Sequence, residues 1–351
     1  MVKLLVVDDS ALMRKFVRAV FEERGGFEVR TARNGKDALE QIPQFDPDVI
    51  TLDVNMPEMD GLTCLSEIMA TNPKPVVMLS SITTEGAVAT LEALQLGAVD
   101  WIAKPGGTVS LNIDEIADEI RTKVRAAARA RPRRALGLAS RVRRAAAETC
   151  RRPALRSQLG TVGGVVVVGV STGGPRTLED ILPALPADLP WPVVIAQHMP
   201  MAFTGPFAAR LNRLCQLEVV EASEPTPLTR GRIYIGRGDM DVVVESRLGR
   251  KLINAVPSDP NWLWHPSVDR LVRSAMKAFE APNVIGIELT GMGNDGAEAM
   301  RDLKAQGGRT IAESESSAIV FGMPGELVRL GGATTVLAAG RIPAQIAAWL
   351  M

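Results

Sequence analysis

Short apolar runs that end in polar residues recur along the chain. Residues 3–7 lead into Asp8 and Asp9, residues 48–52 into Asp53, residues 75–79 into Ser80, and residues 99–103 into Lys104-Pro105. Residues 27–31 form a further run of similar length. Runs this short, closed by polar or turn-forming residues, suit strands buried on both faces. Helical spacing appears between them. Leu12, Phe16, Val17 and Val20 follow Ser10, which is placed to cap that helix, and Asn34-Gly35 turns the chain before a second helix begins at 37–42. Five strands alternating with helices predict an α/β domain with a doubly wound parallel sheet over residues 1–125.

The pattern resumes after residue 160. Residues 165–168 are four valines, followed by Gly169, Val170, Ser171, Thr172, Gly173, Gly174 and Pro175. This reads as strand, sharp turn and helix, with Pro175 in the first helical turn, where its missing N–H is no loss. The G-x-S-x-G spacing from Gly169 to Gly173 puts a hydroxyl at the carboxyl end of a strand. Backbone N–H groups at the following helix start can hold an oxyanion. Taken alone, the stretch is equally an anion-binding turn. Two further strands change that balance. Residues 193–196 end in Gln197-His198-Met199-Pro200, and residues 284–289 end in Thr290-Gly291-Met292-Gly293-Asn294-Asp295-Gly296. His198 alone reads as a packed or surface histidine, and Asp295 alone as a turn former. Together with Ser171 they supply the hydroxyl, base and orienting acid of a triad, each at the end of a parallel strand. The order Ser171, His198, Asp295 departs from the α/β-hydrolases, in which the acid precedes the histidine. The other histidine, His265, stands in WLWHPSVDRL just before a helix capped by Ser267, and reads as structural.

The first domain carries a different chemistry. In an open α/β sheet ligands sit at the carboxyl edge, where Asp8, Asp9 and Asp53 meet. Three carboxylates so close repel one another and call for a cation, and hard oxygen ligands suit magnesium. Lys104 and Ser80 are placed to contact an incoming phosphoryl group. Asp53 is then the nucleophile for an aspartyl-phosphate.

Composition adds limits rather than new chemistry. A chain of 351 residues is long enough for two domains. The boundaries are expected at 1–125, a linker at 126–160, and a second domain at 161–351. From Arg121 to Arg156 there are twelve arginines and one acid, Glu148, with Pro132 and Pro153 interrupting any long helix. That reads as a solvated, partly helical linker. No aromatic residue interleaves these arginines, which argues against stacking on single-stranded nucleic acid. Over the whole chain 40 basic residues balance 40 acidic ones, so nothing biases the molecule toward nucleic acid or a membrane surface. Cys64, Cys150 and Cys215 form no metal-ligand spacing and suit a reducing compartment. The first ten residues lack a signal-peptide pattern, and no apolar stretch reaches the ~20 residues that span a bilayer. A cytoplasmic protein with no membrane insertion is expected.

Two resemblances follow from these motifs. Residues 1–125, with LDVNMPEMDGL around Asp53, resemble a response-regulator receiver domain. GVSTGGP, AQHMP, FTGPFAARL, LTGMGNDGAEAM and FGMP are similar to the catalytic domain of the chemotaxis methylesterases. Together these imply a flavodoxin-like receiver followed by a Rossmann-like methylesterase domain, both mostly parallel and doubly wound. The receiver resemblance implies phosphorylation of Asp53 by a chemotaxis histidine kinase, with magnesium held by Asp8, Asp9, Asp53 and the backbone carbonyl of Asn55. The esterase resemblance implies Ser171 as nucleophile, His198 as base, Asp295 as its orienter, Thr172 lining the site and the Met292 N–H at the oxyanion position. It implies demethylation of glutamate methyl esters on chemoreceptors, deamidation of receptor glutamines, recruitment to receptor arrays, and no cofactor in the catalytic domain. Two stretches depart from the family pattern. Residues 236–241 read GRGDMD where A-P-G-x-x-H is common, and residues 313–315 read ESE where Q-D-E is common. Neither falls on the triad, so they bear on substrate choice. The rival class is a non-catalytic two-component regulator that binds DNA or receptors. It has no need of three reactive side chains at strand ends, and no helix-turn-helix pattern follows residue 160.

Overall fold

In a computed structural model of the protein, residues 1–22, 25–81, 83–104, 113–130 and 162–351 are described. Pro105 and most of the expected linker, with Pro132, Cys150 and Pro153, lie outside them. The chain divides into two compact units, residues 1–143 and 144–351.

The first unit is built on five parallel strands: β1 (Val2–Val7), β2 (Phe27–Ala32), β3 (Val49–Asp53), β4 (Val76–Ser80) and β5 (Asp100–Ala103), in the order β2-β1-β3-β4-β5. Helices α1 (Ala11–Glu22), α2 (Gly35–Phe45), α3 (Gly61–Thr71), α4 (Thr84–Leu96) and α5 (Ile113–Ala127) alternate with them. The apolar runs are the central strands. β3 and β4 are buried at every position, whereas β2, at the edge, alternates half-buried and exposed residues. Polar residues define the ends. Asn34 Oδ1 accepts the Asp37 N–H at 2.9 Å to start α2, and Asp60 Oδ1 accepts the Thr63 N–H at 2.8 Å to start α3. The chain leaves β1 toward β2 on one side and returns to β3 on the other. The crevice for a ligand therefore opens at the carboxyl ends of β1 and β3.

The second unit holds a seven-stranded parallel sheet. Its strands are β6 (Val165–Val170), β7 (Val193–Gln197), β8 (Glu218–Ala222), β10 (Arg232–Gly236), β13 (Val284–Glu288), β14 (Arg309–Glu313) and β15 (Thr335–Leu337), ordered β15-β14-β13-β6-β7-β10-β8. β6 is buried along its whole length, and burying a Val side chain stabilises by about 1.5–3 kcal/mol relative to exposure. The winding reverses at β6. The chain runs from β6 to β7 through α6 (Gly174–Ile181), and later returns to β13 on the other flank of β6. Helices α7 (Met201–Leu214), α8 (Val268–Phe279), α9 (Ala297–Ala305), α10 (Met323–Arg329) and α11 (Ile342–Leu350) complete the unit. Val268, Leu271, Val272 and Ala275 of α8 are fully buried in the core that also holds Val165 and Val167 of β6.

Of the seven-stranded sheet the sequence predicts only β6, β7 and β13; β8, β10, β14 and β15 were not expected, nor was a second sheet. β9 (Thr226–Pro227), β11 (Met240–Arg247) and β12 (Arg250–Pro257) form a separate antiparallel sheet. The β11–β12 hairpin turns at Leu248 and Gly249, both at positive φ, as a two-residue hairpin turn demands. A leucine at the first turn position, where Asn or Asp is usual, hid the hairpin from sequence reading. Among the described residues no helix is long and apolar enough to cross a membrane.

Candidate active site and acidic cluster

The reversal at β6 brings three loops together. Extra bonds beyond the strand ladders hold them. The Ser171 N–H donates to the Thr290 carbonyl at 3.0 Å, the His198 N–H to the Val170 carbonyl at 3.1 Å, and the Leu289 N–H to the Gly169 carbonyl at 2.9 Å. The buried Gln197 amide donates to the carbonyls of both Ser171 and His198, each at 3.1 Å. Ser171 itself sits on the turn that leads into α6. Gly173 there adopts φ +78°, and a Cβ on it would run into Ile319. Pro175 occupies the first turn of α6, as the sequence predicts.

His198 and Asp295 meet side chain to side chain. Nε2 of His198 lies 2.9 Å from Oδ2 of Asp295. Asp295 is buried and seated on the first turn of α8. Its Oδ2 accepts the Val268 N–H at 2.7 Å, and its Oδ1 accepts the Asp269 N–H at 3.0 Å and the Ser267 hydroxyl at 3.2 Å. A helix N-terminus favours negative charge, and in this seat Oδ2 also faces the imidazole. That leaves Nδ1 as the nitrogen available to a nucleophile. Nδ1 is buried and has no hydrogen-bond partner, so no bond to Ser171 is formed at this nitrogen. Such contacts are commonly loose before substrate arrives.

The turn after β13 runs against Ser171. A Cβ on Gly291 would lie 2.8 Å from the Ser171 Cβ and 2.3 Å from the Met323 Sδ, so no side chain fits there. Among the described residues the Met292 N–H donates to no backbone carbonyl, which leaves it free for a ligand. Thr290 ties this turn to the nucleophile's loop: its hydroxyl donates to the Thr172 carbonyl at 2.9 Å and accepts the Val320 N–H at 2.9 Å. Thr172 is buried beneath.

Both departures from the family pattern lie one hydrogen bond from this constellation. Glu313 is fully buried, and its carboxylate accepts the Thr290 N–H at 2.9 Å and the Ser317 hydroxyl at 2.8 Å. Asp241, also fully buried, accepts the Ser267 N–H at 2.7 Å, pairs with His265 Nδ1 at 3.0 Å and binds Arg270 Nη1 at 2.5 Å. Burial works against the Asp241 charge, but the bonds from His265, the Ser267 N–H and Arg270 outweigh it and hold its carboxyl below the usual range. His265 thus shares Asp241 with the start of α8. Two further features were not read from the sequence. Glu288, at the end of β13, is fully buried and both its carboxyl oxygens lack partners. Burial, with the charges of Asp295 and Asp269, pushes its carboxyl well above the ordinary range. Trp264 stacks on His198, with ring centroids 5.8 Å apart and planes 7° from parallel. The only hint of it was a tryptophan two residues from another in WLWHP.

In the first unit Asp8, Asp9 and Asp53 each offer an oxygen within 4.8 Å of the others. Asp8 and Asp53 are buried and Asp9 is exposed. Lys104 Nζ lies 2.8 Å from both Asp8 Oδ2 and Asp53 Oδ2. Burial pushes the Asp53 carboxyl up despite the nearby ammonium. Burial also opposes the Lys104 charge, but Asp53 and Asp8 outweigh it and hold the ammonium above its ordinary range. Asn55 is exposed, and its N–H points to Asp53 Oδ1 at 3.4 Å. The Ser80 hydroxyl is buried and donates to the Gly86 carbonyl at 3.2 Å, beside the end of β4.

Comparison with known proteins agrees with both halves. Residues 166–346 match a family model described as CheB methylesterase, and residues 4–113 one described as response regulator receiver domain. A Rhodospirillum rubrum protein named protein-glutamate methylesterase/protein-glutamine glutaminase 3 is 60% identical over 357 residues, covering 100% of this chain and 96% of its own. An Archaeoglobus fulgidus protein named protein-glutamate methylesterase/protein-glutamine glutaminase is 43% identical over 349 residues, covering 99% and 98%. The crystal structure of the Thermotoga maritima CheB methylesterase catalytic domain is similar at a TM-score of 0.52 and 37% identity, covering 53% of this chain and 98% of that one. With a receiver domain ahead of a catalytic domain whose reactive side chains gather at one sheet edge, the chain belongs to the CheB methylesterase family.

Proposed function

We propose that the protein is a phosphorylation-controlled hydrolase that demethylates glutamate methyl esters on chemoreceptors and deamidates receptor glutamines, serving adaptation in chemotaxis. The observation that carries the catalytic part is the His198–Asp295 contact at 2.9 Å, with Asp295 anchored on the start of α8. Ser171 Oγ attacks the ester carbonyl while His198 Nδ1 takes its proton. Asp295 holds Nε2–H and balances the imidazolium. The tetrahedral oxyanion is received by the Met292 N–H, with Thr172 lining the site. Its collapse passes the proton from His198 to the leaving methoxide, and methanol departs. A water, deprotonated by His198, then cleaves the glutamyl ester on Ser171 and leaves a free glutamate. An amide substrate follows the same path with ammonia as the leaving group. No residue of this path calls for a cofactor.

The receiver supplies control. Asp53 is the phosphoryl acceptor, a chemotaxis histidine kinase the donor, and Lys104 and Ser80 the groups that contact the phosphoryl oxygens. Three carboxylates against one ammonium leave two negative charges, which fits a dication. Asp8, Asp9, Asp53 and the Asn55 carbonyl would hold magnesium, which when bound supplies neutralising charge for phosphoryl transfer. Residues 126–160 act as the linker, with no role in nucleic-acid binding, and the protein works in the cytoplasm at receptor arrays. The test is methanol release from methylated receptor membranes. Ser171→Ala removes only a hydroxyl, and the rate is expected to fall by orders of magnitude with the fold intact. A tenth of wild-type turnover in that variant removes Ser171 from the mechanism.

A further inference from the structure

Trp264 has no part in the steps above, yet its indole lies parallel to the base. The two ring centroids are 5.8 Å apart and the planes differ by 7°. The same indole packs against the turn that carries Met292: a Cβ on Gly293 would come within 2.7 Å of its ring atoms. One side chain thus rests on both the base and the oxyanion loop. Asp295 is the ionisable group in contact with the imidazole. Asp269 and Glu288 lie behind Asp295, and His265, next to Trp264 in the chain, is turned to Asp241.

We propose that Trp264 is a positioning residue for His198: its π face fixes the imidazole plane and favours the imidazolium that forms when Ser171 loses its proton. This rests on the reading of His198 as the base. The physical reason is the charge distribution of an indole. Its face is electron-rich and attracts a cation within about 6 Å of the ring centroid, and Trp does so best among the aromatic residues. A neutral imidazole gains much less from that face than a protonated one. The interaction is therefore stronger in the charged intermediate than in the resting enzyme, which is the condition for accelerating a step. The stack also removes a freedom that Asp295 leaves. A hydrogen bond at Nε2 fixes one end of the ring but permits tilting about that bond. A parallel indole fixes the plane and so aims Nδ1.

The experiment compares wild type, Trp264→Leu and Trp264→Phe as full-length proteins on methylated receptor membranes, with kcat and KM measured across pH. Leu removes the π face. The expected result is a fall in kcat of about three- to tenfold, with KM within about twofold. The acid limb of the pH–rate profile should move to lower pH, because Asp295 alone then favours the protonated ring. Phe keeps an aromatic face and should restore most of the rate and the position of the limb. If the Leu variant does not fold, Trp264→Met carries the same test. A wild-type kcat without the aromatic face overturns the proposal. So does a lowered kcat with an unmoved acid limb, which would mean packing alone, or a rise in KM alone, which would mean substrate contact. Failure of the underlying reading looks different: His198→Gln would then release methanol at the wild-type rate.

Discussion

Replacing Asp295 by Asn separates the two tasks of that carboxylate. Asp295 accepts from four donors: His198 Nε2–H and the Val268 N–H on Oδ2, and the Asp269 N–H and Ser267 hydroxyl on Oδ1. An amide keeps one oxygen and puts an NH2 in the other place. With the NH2 in the Oδ2 place, it meets the Val268 N–H at a spacing of 2.7 Å, donor against donor, and forces the wrong imidazole tautomer. With the NH2 in the Oδ1 place, the Ser267 hydroxyl can reverse and accept, and only the Asp269 N–H is orphaned. The second seat has fewer conflicts, so His198 keeps its tautomer. What is lost is the negative charge opposite the imidazolium. Two unit charges about 4 Å apart interact by about 4 kcal/mol at an effective dielectric of about 20. That corresponds to a loss of about 10³-fold in kcat. The orphaned N–H costs about 1–3 kcal/mol of stability, a few degrees to about ten degrees in the melting temperature for a domain of this size. Methanol release at saturating methylated membranes reads the first effect and thermal unfolding the second. Retention of more than a tenth of kcat in a folded Asp295→Asn protein would refute the charge argument and demote Asp295 to a helix cap.

The remaining expectations use the same assays. His198→Gln should lose nearly all activity, whereas His265→Gln, which only disturbs the Asp241 cluster, should keep most of it with a lower melting temperature; the reverse pattern would exchange their roles. Asp53→Asn should abolish stimulation by a small-molecule phosphodonor and leave the unstimulated rate unchanged, and stimulation equal to wild type would exclude Asp53 as acceptor. Glu288→Met removes two unpartnered buried oxygens and should stabilise the protein by about 1–3 kcal/mol at neutral pH. Because the folded-state carboxyl is pushed up, wild type loses stability as pH rises above the unfolded value of about 4.3, so the gain should shrink below about pH 4 to the part owed to the unpartnered neutral carboxyl. Equal unfolding temperatures at pH 7 would mean that Glu288 has a partner after all.

The sequence by itself determined the parallel sheet of the first unit, the three central strands of the second, and which residues stand at their carboxyl edges. Strands buried on both faces must be short continuous apolar runs, so residues 165–168, 193–196 and 284–289 announce themselves, and the polar residue that ends each run is where a reactive group can stand. Ser171, His198, Asp295, Asp8, Asp53 and Lys104 were all legible in that way. Local signals also sufficed for caps such as Asn34 and Ser267, whose bonds span three residues. Only the tertiary structure decided how those residues bind. His198 and Asp295 are 97 positions apart, and no local pattern states which imidazole nitrogen faces the acid. The seat of Asp295 on α8, the Asp241–His265–Arg270 cluster, the support of Thr290 by Glu313 and the stack of Trp264 on His198 are likewise made between distant segments. Periodicity records which side of an element is buried. It does not record what meets that side, because the partner is chosen by the path of the chain and the packing of the whole domain.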